Sequence, residues 1–247
     1  MEKLSIDAVF VLSVRTFEDR IKHVKQQMAL HQIPYQFIFE FDIPELNTEL
    51  LLNTFETENV LDRPQQSLVL KHIHAWRLCV ENNFKNILVF EDDVILKPDF
   101  VRRLNTAVHE LEKKQNPYLL FLGGADTKVP DAFLLSSDDI IEQPIATAEA
   151  YVTNNQACAE RINWLTKNKV NLPADFLLRA MDPQCGIKQY WLKQHIAEQG
   201  SVTGVFKSSL DKQRKKHSLL FNYLRYEWQK INRKKIRKLH AIIKSKF

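Results

Sequence analysis

The most constraining feature of this chain is an apolar segment that ends in three consecutive acids. Residues 86–90, Asn-Ile-Leu-Val-Phe, have the length and the branched and aromatic content of a buried strand. Glu91, Asp92 and Asp93 follow directly, and their adjacent negative charges resist burial unless a cation offsets them. In an extended chain Glu91 and Asp93 point to one side and Asp92 to the other. The segment predicts a site for Mn²⁺ or Mg²⁺ at a strand end, with a solvated acidic turn as the alternative.

Strand-like and helix-like segments alternate over the first 206 residues. Strands are predicted over residues 7–12, 35–41, 86–90 and 118–124 and within 139–153, and helices over 21–30, 66–82, 99–111 and 154–167 and from about 173. Because strands alternate with helices, the sequence predicts one α/β/α sandwich of the Rossmann type with a mostly parallel sheet over residues 1–206. A basic helical C-terminal tail is predicted over residues 207–247.

Two arginines follow the first predicted strand. Ligands of such α/β sheets bind beyond the carboxyl ends of the strands, which is where Arg15, Arg20 and the acid block are expected. The planar guanidinium group pairs well with phosphate. Arginines beside one strand end and acids beside another therefore favour a metal-bound phosphate ligand.

The composition narrows the class of protein. The 247 residues, 45% apolar and 26% charged, are typical of a globular protein. Five glycines without G-x-G-x-x-G or P-loop spacing exclude the common glycine-rich nucleotide motifs. Three scattered cysteines fit neither a disulfide framework nor a zinc site, so we expect buried, reduced thiols in a cytosolic protein. We expect no signal peptide and no membrane span, because no run approaches roughly 20 apolar residues.

The charge is divided unevenly along the chain. Residues 207–247, here called the tail, carry 14 Lys/Arg and 2 Asp/Glu, a net charge of +12, whereas residues 1–206 carry 21 and 28, a net charge of −7. Apolar residues recur in the tail at near-helical spacing: Leu220, Leu224, Trp228, Ile231, Leu239 and Ile242. This pattern predicts an amphipathic helix on an anionic membrane surface. A helix packed on its own domain or in a dimer, and a nucleic-acid-binding tail, are the alternatives, but the acidic body and the lack of a nucleic-acid motif argue against nucleic acid.

Three blocks of the chain resemble one enzyme family. They are Val-Phe-Val-Leu-Ser-Val-Arg at residues 9–15 with Asp19 and Arg20, Lys-His-Ile-His-Ala-Trp at 71–76, and Leu-Val-Phe-Glu-Asp-Asp-Val at 88–94. In order and spacing they are similar to glycosyltransferase family 25, the lipooligosaccharide-biosynthesis enzymes of Gram-negative bacteria and relatives of the collagen galactosyltransferases. The resemblance implies a GT-A-like fold, a UDP-sugar donor, often UDP-galactose, a divalent metal, typically Mn²⁺, and inversion at the anomeric carbon.

The resemblance also implies roles for the acids. Asp93 matches the family's metal motif and is expected as a catalytic metal ligand, with Glu91 as a second ligand. Glu91 and Asp92 are also expected to contact the donor nucleotide. Asp175, in a Pro-x-Asp element, is expected as the general base, and an acid at a helix N-terminus is its alternative. Two weaker candidates for a metal ligand lie later in the chain: Asp182 and His195.

The basic and aromatic positions of the resemblance point to the donor. Arg15, Arg20 and His72 are implied to bind the donor nucleotide, although a histidine on an apolar helix face is also typical of a core residue. The chain departs from the family's usual residues at three positions before His72: Ser67, Leu68 and Lys71.

Together these features predict a metal-dependent glycosyltransferase that moves a hexose, with galactose first, from a UDP-sugar to a lipooligosaccharide or lipopolysaccharide acceptor. We expect it to work at the cytoplasmic face of the inner membrane of a Gram-negative bacterium, held there by its tail, with no nucleic-acid partner. The alternative is a catalytically inactive nucleotide-sugar-binding or regulatory relative.

Overall fold

The computed structural model describes residues 2–124, 130–144, 147–203, 205–206 and 219–244. The strands in these ranges are β1 (Ala8–Leu12), β2 (Gln36–Ile38), β3 (Asn86–Glu91), β4 (Val94–Leu96), β5 (Tyr118–Phe121), β6 (Ile140–Glu142), β7 (Ala150–Asn154), β8 (Lys188–Leu192) and β9 (Ala197–Gln199). Among the described residues, seven strands form the main sheet in the order β2-β1-β3-β7-β5-β8-β6, and β4 pairs with β9 in a separate antiparallel ribbon.

Helices connect and cover these strands. Within the described ranges they are α1 (Glu18–His31), α2 (Thr48–Thr54), α3 (Arg63–Glu81), α4 (Phe100–Glu112), α5 (Asp131–Leu135), α6 (Asn155–Leu165), α7 (Ala174–Gln184), α8 (Gly200–Thr203), α9 (Leu219–Lys230) and α10 (Arg237–Lys244). A 3-10 turn spans Ile43–Glu45, and a π-helical segment, Ile231–Ile236, joins α9 to α10.

Helices bury both faces of the sheet. Along β3, Ile87 and Val89 pack in the core that contains α3, α6 and α7, whereas Leu88 and Phe90 pack in the core that contains α1 and α4. Because alternate side chains point to opposite faces and both faces are buried, the strand reads as an unbroken apolar run. This arrangement confirms the predicted α/β/α sandwich.

The main sheet is mostly parallel, as predicted, but two strands run against the others. Five strands share one direction, whereas β7 is antiparallel to its neighbours β3 and β5, and β6 is antiparallel to β8 at the edge. Apolar patterning does not encode strand direction, so the reversal of β7 was not predicted. Its consequence is that the residue before β7, Glu149, lies beside the carboxyl end of β3, where its carbonyl accepts the Glu91 N–H at 2.9 Å.

The start of α3 is encoded locally. Asp62 accepts the Gln65 N–H at 3.1 Å, and the Gln65 side chain accepts the Asp62 N–H at 3.0 Å, which together form a capping box. Pro64 lies in the first turn, where its missing N–H has no helical partner to lose. The helix begins here, three residues before the predicted start, and its first half forms one wall of the cleft described below.

The tail packs on the body of the protein. Tyr226 and Ala241 are buried, Lys230 pairs with Glu198 at 3.2 Å, and Arg237 pairs with Asp131. The predicted domain boundary at residue 207 and the Leu220 side chain lie outside the described residues. No described helix is both long and apolar enough to cross a membrane. Cys79 and Cys158 are buried, as predicted, whereas Cys185 is partly exposed, and none of the three forms a disulfide.

Candidate functional site

A cleft of about 590 Å³ opens at the carboxyl ends of β1 and β3. Its walls are the loop over residues 13–17, the segment over residues 42–45, the first half of α3, and Glu91 and Asp92 at the end of β3. The volume lies within the range of small-molecule sites. The cleft therefore occupies the position that the α/β architecture predicts for a ligand.

Asp92 anchors the loop after β1 to the end of β3. Its carboxylate is buried and accepts the Ser13 hydroxyl at 2.8 Å and the Arg20 guanidinium at 2.6 Å. Burial raises the pKa of Asp92, and the ion pair with Arg20 opposes that shift. Both oxygens of the Asp92 carboxylate thus have protein partners, and Asp92 holds the Arg20 guanidinium at the wall of the cleft.

Asp93 turns toward the other side, where α8 holds it. One carboxylate oxygen, Oδ2, accepts the Ser201 N–H at 2.9 Å, and the Asp93 carbonyl accepts the Gly200 N–H at 2.7 Å. The second oxygen, Oδ1, is buried and has no hydrogen-bond partner. A buried carboxylate oxygen without a donor is costly, so it marks a position at which a cation would stabilise the structure.

Glu91 and Glu149 add two further carboxylates. Burial, followed by the charges of Asp93 and Glu149, raises the pKa of Glu91 well above its ordinary value, and Gln199 donates to Glu91 at 3.3 Å. Burial also raises the pKa of Glu149 to about 7. A Cβ at Gly123 would overlap the Glu149 carboxylate, so glycine makes room for it at the end of β5.

Glu149 is a site residue that the sequence interpretation missed. Nothing in its local sequence separates it from other single acids, and only the antiparallel register of β7 against β3 places it beside Glu91.

The acids suit a metal ion whose coordination shell is completed by a bound ligand. Among the described residues, no three Asp, Glu, His or Cys side chains converge to hold an ion. Mg²⁺ and Mn²⁺ prefer oxygen ligands, and Mg²⁺ usually binds through one or two carboxylates together with substrate phosphates. The unpartnered Oδ1 of Asp93 and the neighbouring Glu91 fit that mode of binding.

Arg15 is the exposed basic group of the cleft. Its side chain is 58% exposed, lies 5.1 Å from the Phe39 ring and approaches Glu45 at 3.9 Å. Its backbone N–H donates to Asp42 at 3.0 Å. The backbone is fixed and the guanidinium faces solvent, so Arg15 can reach an anionic ligand in the cleft.

Two positions that depart from the family's usual residues build a wall of this cleft. The buried Lys71 ammonium donates to the carbonyls of Phe39 and Glu40 and to the Asp42 carboxylate, at 3.0, 2.7 and 2.8 Å. The Ser67 hydroxyl donates to the Phe41 carbonyl at 2.6 Å. These bonds draw residues 39–42 out of the sheet, which explains why β2 ends at Ile38 and not at residue 41 as predicted.

His72 lies in the core and not in the cleft. Its imidazole Nδ1 is 2.9 Å from the Tyr151 hydroxyl, which also accepts the Trp76 indole N–H at 3.0 Å. Burial, helped by the charge of Arg161, lowers the pKa of His72 to about 3. The structure thus agrees with the alternative that His72 is a core residue, and it separates His72 from the cleft in which the nucleotide contacts were predicted.

The later candidates also have structural partners. Both Asp182 oxygens accept the buried Arg161 guanidinium at 2.8 Å, and His195 Nε2 is 3.0 Å from Glu198. Neither Asp182 nor His195 lines the cleft. Asp175 lies in the first turn of α7, outside the cleft lining, but close enough that its charge contributes to the raised pKa of Glu91.

These features define an α/β protein with an acidic, arginine-flanked ligand cleft at the carboxyl ends of its central strands. The chain belongs to glycosyltransferase family 25 (LPS biosynthesis protein), whose family model matches residues 6–199. This match confirms the family resemblance of the sequence.

The relatives of the chain come from bacteria and animals. Procollagen galactosyltransferase 1-A of Xenopus laevis is 28% identical over 133 residues, which cover 49% of this chain and 22% of the relative. The lipooligosaccharide biosynthesis protein lex-1 of Haemophilus influenzae is 22% identical over 111 residues, 35% of this chain and 37% of the relative. A Bos taurus protein described as a probable inactive glycosyltransferase 25 family member 3 is 26% identical over 132 residues, 49% of this chain and 22% of the relative. The chain thus spans less than half the length of each of these relatives.

A distant likeness exists among solved structures. A glycosyltransferase involved in the glycosylation of the major capsid of PBCV-1 is 12% identical, with a TM-score of 0.42 over 89% of this chain and 99% of that chain.

Proposed function

We propose that this protein transfers a hexose from a UDP-sugar to a lipooligosaccharide or lipopolysaccharide acceptor. The observation that carries the proposal is the buried, unpartnered Asp93 oxygen, which lies within electrostatic range of Glu91 in the wall of the arginine-flanked cleft, in a chain of glycosyltransferase family 25. Galactose is the first choice of sugar because one relative is a procollagen galactosyltransferase, and the acceptor class follows from the lipooligosaccharide biosynthesis relative.

Asp93 and Glu91 would hold Mn²⁺ or Mg²⁺ next to the donor diphosphate. When bound, the ion supplies positive charge that stabilises the negative charge developing on the leaving group. The cleft would take the nucleotide, and Arg15 and Arg20 would bind the phosphates. Asp92 contributes indirectly, because its ion pair fixes the Arg20 guanidinium.

The transfer itself breaks the bond between the anomeric carbon and the diphosphate oxygen. The acceptor hydroxyl oxygen forms the new bond to the anomeric carbon, and its proton passes to a general base. Asp175 is proposed for that role, because its carboxylate lies at the start of α7 within electrostatic range of Glu91. A single base that deprotonates the acceptor implies inversion at the anomeric carbon.

The proposed acceptor also implies where in the cell the reaction takes place. A lipid-anchored acceptor puts the enzyme at the inner face of the cytoplasmic membrane, where the basic tail is proposed to attach it peripherally. The second candidate function is a catalytically inactive sugar-nucleotide-binding protein, which the Bos taurus relative brings into consideration by its description.

A thermal-shift panel tests donor and metal together. UDP-galactose, UDP-glucose, UDP-N-acetylglucosamine and GDP-mannose are each added with and without Mn²⁺, and a ligand at a hundred times its dissociation constant should add about 2.7 kcal/mol to the free energy of unfolding. We expect stabilisation by one UDP-sugar with Mn²⁺ only, abolished in Asp93→Asn. Asp99→Asn is the matched control, because it changes a partly exposed carboxylate that pairs with Arg102 outside the cleft, and it should respond like the parent protein.

The outcomes separate the two functions. No response to any sugar nucleotide would contradict both. Metal-dependent binding without release of UDP in the presence of lipooligosaccharide would favour the inactive relative, and binding with turnover would favour the transferase.

A further inference from the structure

The tail presents one apolar stripe to solvent. Leu224, Trp228 and Ile231 follow one another at intervals of four and three residues, so they lie on one side of the helix. Their exposed fractions are 57%, 61% and 39%. Large apolar groups that are grouped and exposed in this way usually mark a surface that binds a partner or a membrane.

The opposite side of the tail is docked on the body. Tyr226 is buried, and the Lys230 ammonium lies 3.2 Å from Glu198, which also pairs with Lys97 at 2.9 Å. Tyr226 and Lys230 are four residues apart and point away from the stripe. The helix therefore has a fixed orientation, and the stripe is exposed because its opposite side is held.

The charge around the stripe identifies the partner. The described part of the tail, residues 219–244, carries 8 Lys/Arg and 1 Glu, a net charge of +7, and its Arg225, Lys235 and Lys238 side chains are exposed. A lipid surface with anionic headgroups matches both properties, since it accepts apolar side chains between acyl chains and attracts cations at the headgroups. A nucleic acid would be attracted by the same cations but offers no burial for the aliphatic side chains Leu224 and Ile231.

We propose that the tail seats the protein on an anionic bilayer through Leu224, Trp228 and Ile231 while it stays docked on the body. The docked helix α9 packs against α8. The first residues of α8, Gly200 and Ser201, donate their N–H groups to Asp93. The membrane-binding stripe is thus joined by one short helix to the carboxylate of the candidate site, which deepens the proposed function by placing that site next to a lipid-anchored acceptor.

Vesicle co-sedimentation of the full chain tests the surface. The probes are phosphatidylcholine vesicles with and without phosphatidylglycerol, at about 0.15 M salt. We expect binding only to the anionic vesicles, weakened about tenfold or more in Leu224→Ser/Trp228→Ser because two apolar side chains lose their burial. The matched control Leu30→Ser/Leu52→Ser, which replaces exposed apolar residues of α1 and α2, should bind like the parent protein.

Other results would overturn the proposal. The proposal is wrong if the parent protein does not bind anionic vesicles or if the stripe variant binds them as well as the parent does. It is also wrong if the protein binds DNA or RNA and the stripe variant retains that binding, or if the parent is a dimer that the stripe variant converts to a monomer.

Hydrogen exchange tests whether the helix stays docked. We expect the amides of α8 and α9 to keep or gain protection when vesicles are added, and a loss of protection would overturn the docked arrangement. No donor or metal is present in either experiment. A failure of vesicle binding is therefore distinguishable from a failure of sugar-nucleotide binding.

Discussion

Asp92 and Asp93 are neighbours in the chain, yet their carboxylates have different partners. The two carboxylate oxygens of Asp92 accept hydrogen bonds from Ser13 and Arg20, whereas one buried oxygen of Asp93 has no donor. The first arrangement stabilises the loop after β1, and the second leaves the oxygen at which we propose that a cation binds. At the scale of single residues, the partner of each oxygen therefore decides which acid is structural and which is available for chemistry.

The buried ammonium of Lys71 offers a test at this scale. Lys71→Met removes the ammonium from Oδ1 of the buried Asp42 carboxylate and from two carbonyls, so we expect a loss of about 3–5 kcal/mol in the free energy of unfolding and weaker UDP binding. Urea denaturation and isothermal titration measure the two effects. Lys188→Met breaks a solvent-exposed pair with Glu142 at 2.8 Å and should leave the free energy of unfolding almost unchanged. A similar small loss for Lys71→Met would contradict its role in the cleft wall.

The pH dependence of stability tests the placement of His72. Its folded-state pKa of about 3 lies below the ordinary 6.5, so between these values the unfolded chain binds a proton that the folded chain does not. Stability from this residue is complete above pH 6.5 and falls as the pH falls, by about 2 kcal/mol between pH 7 and pH 5. Denaturation at both pH values should show that His72→Gln lacks this part of the dependence. An unchanged dependence in the variant would place the imidazole in solvent.

At the scale of elements, α8 and β7 shape the site although neither carries the acid block. The reversed strand β7 delivers Glu149 to the end of β3, and α8 delivers two N–H donors to Asp93. Both elements come from chain segments far from Asp93, and the bond from Ser201 spans 108 residues of sequence. The geometry of the acids is thus set by the packing of elements around them.

Gly200 allows the close approach of α8 to Asp93. A Cβ there would lie 2.8 Å from the Asp93 carbonyl oxygen and 2.7 Å from the Phe206 ring. We expect Gly200→Ala to cost about 1–3 kcal/mol of stability and to weaken Mn²⁺-dependent UDP binding, because the backbone must move away from Asp93. Ser201→Ala retains the N–H that binds Asp93 and should keep the affinity, as measured by titration. Equal affinities for both variants would show that the close approach of α8 does not position the Asp93 carboxylate.

At the scale of the whole molecule, the acidic body and the basic tail are held together by a few ion pairs. Lys230 with Glu198 and Arg237 with Asp131 link them. Burial alone would raise the pKa of Glu198, but the hydrogen bond to His195 and the ammonium groups of Lys97 and Lys230 lower it. The sequence alternatives for the tail are therefore not exclusive. One side of the helix packs on its own domain, and the other side remains available for a second partner.

Breaking these links should loosen the tail. We expect Lys230→Ala/Arg237→Ala to speed amide exchange across residues 219–244, with a change of about 0–2 kcal/mol in global stability because the pairs are partly exposed. Lys235→Ala/Lys238→Ala removes the same charge from exposed positions and should leave exchange unchanged. Hydrogen-exchange mass spectrometry distinguishes the two variants, and identical exchange would argue that the ion pairs do not hold the tail.

Much of this protein follows from its sequence alone. The apolar run of β3 and the acid block are local patterns, and local patterns specify strands and charge clusters. The capping box of α3 is also a local pattern, but the sequence prediction overlooked it and began the helix three residues late. The order of three motifs also identified the family before any fold was considered. The mostly parallel α/β/α sandwich could be predicted because the periodicity of apolar residues and the alternation of strands with helices can both be read from the order of residues.

Only the tertiary structure decided how the acids are surrounded. The direction of β7, the removal of His72 to the core and the hold of α8 on Asp93 depend on contacts between distant segments. The type of a residue limits the bonds that it can form, but its distance from a bonding partner and its orientation toward that partner are properties of the folded chain. For that reason the sequence determined which residues are capable of the chemistry, and the fold determined which of them are placed for it.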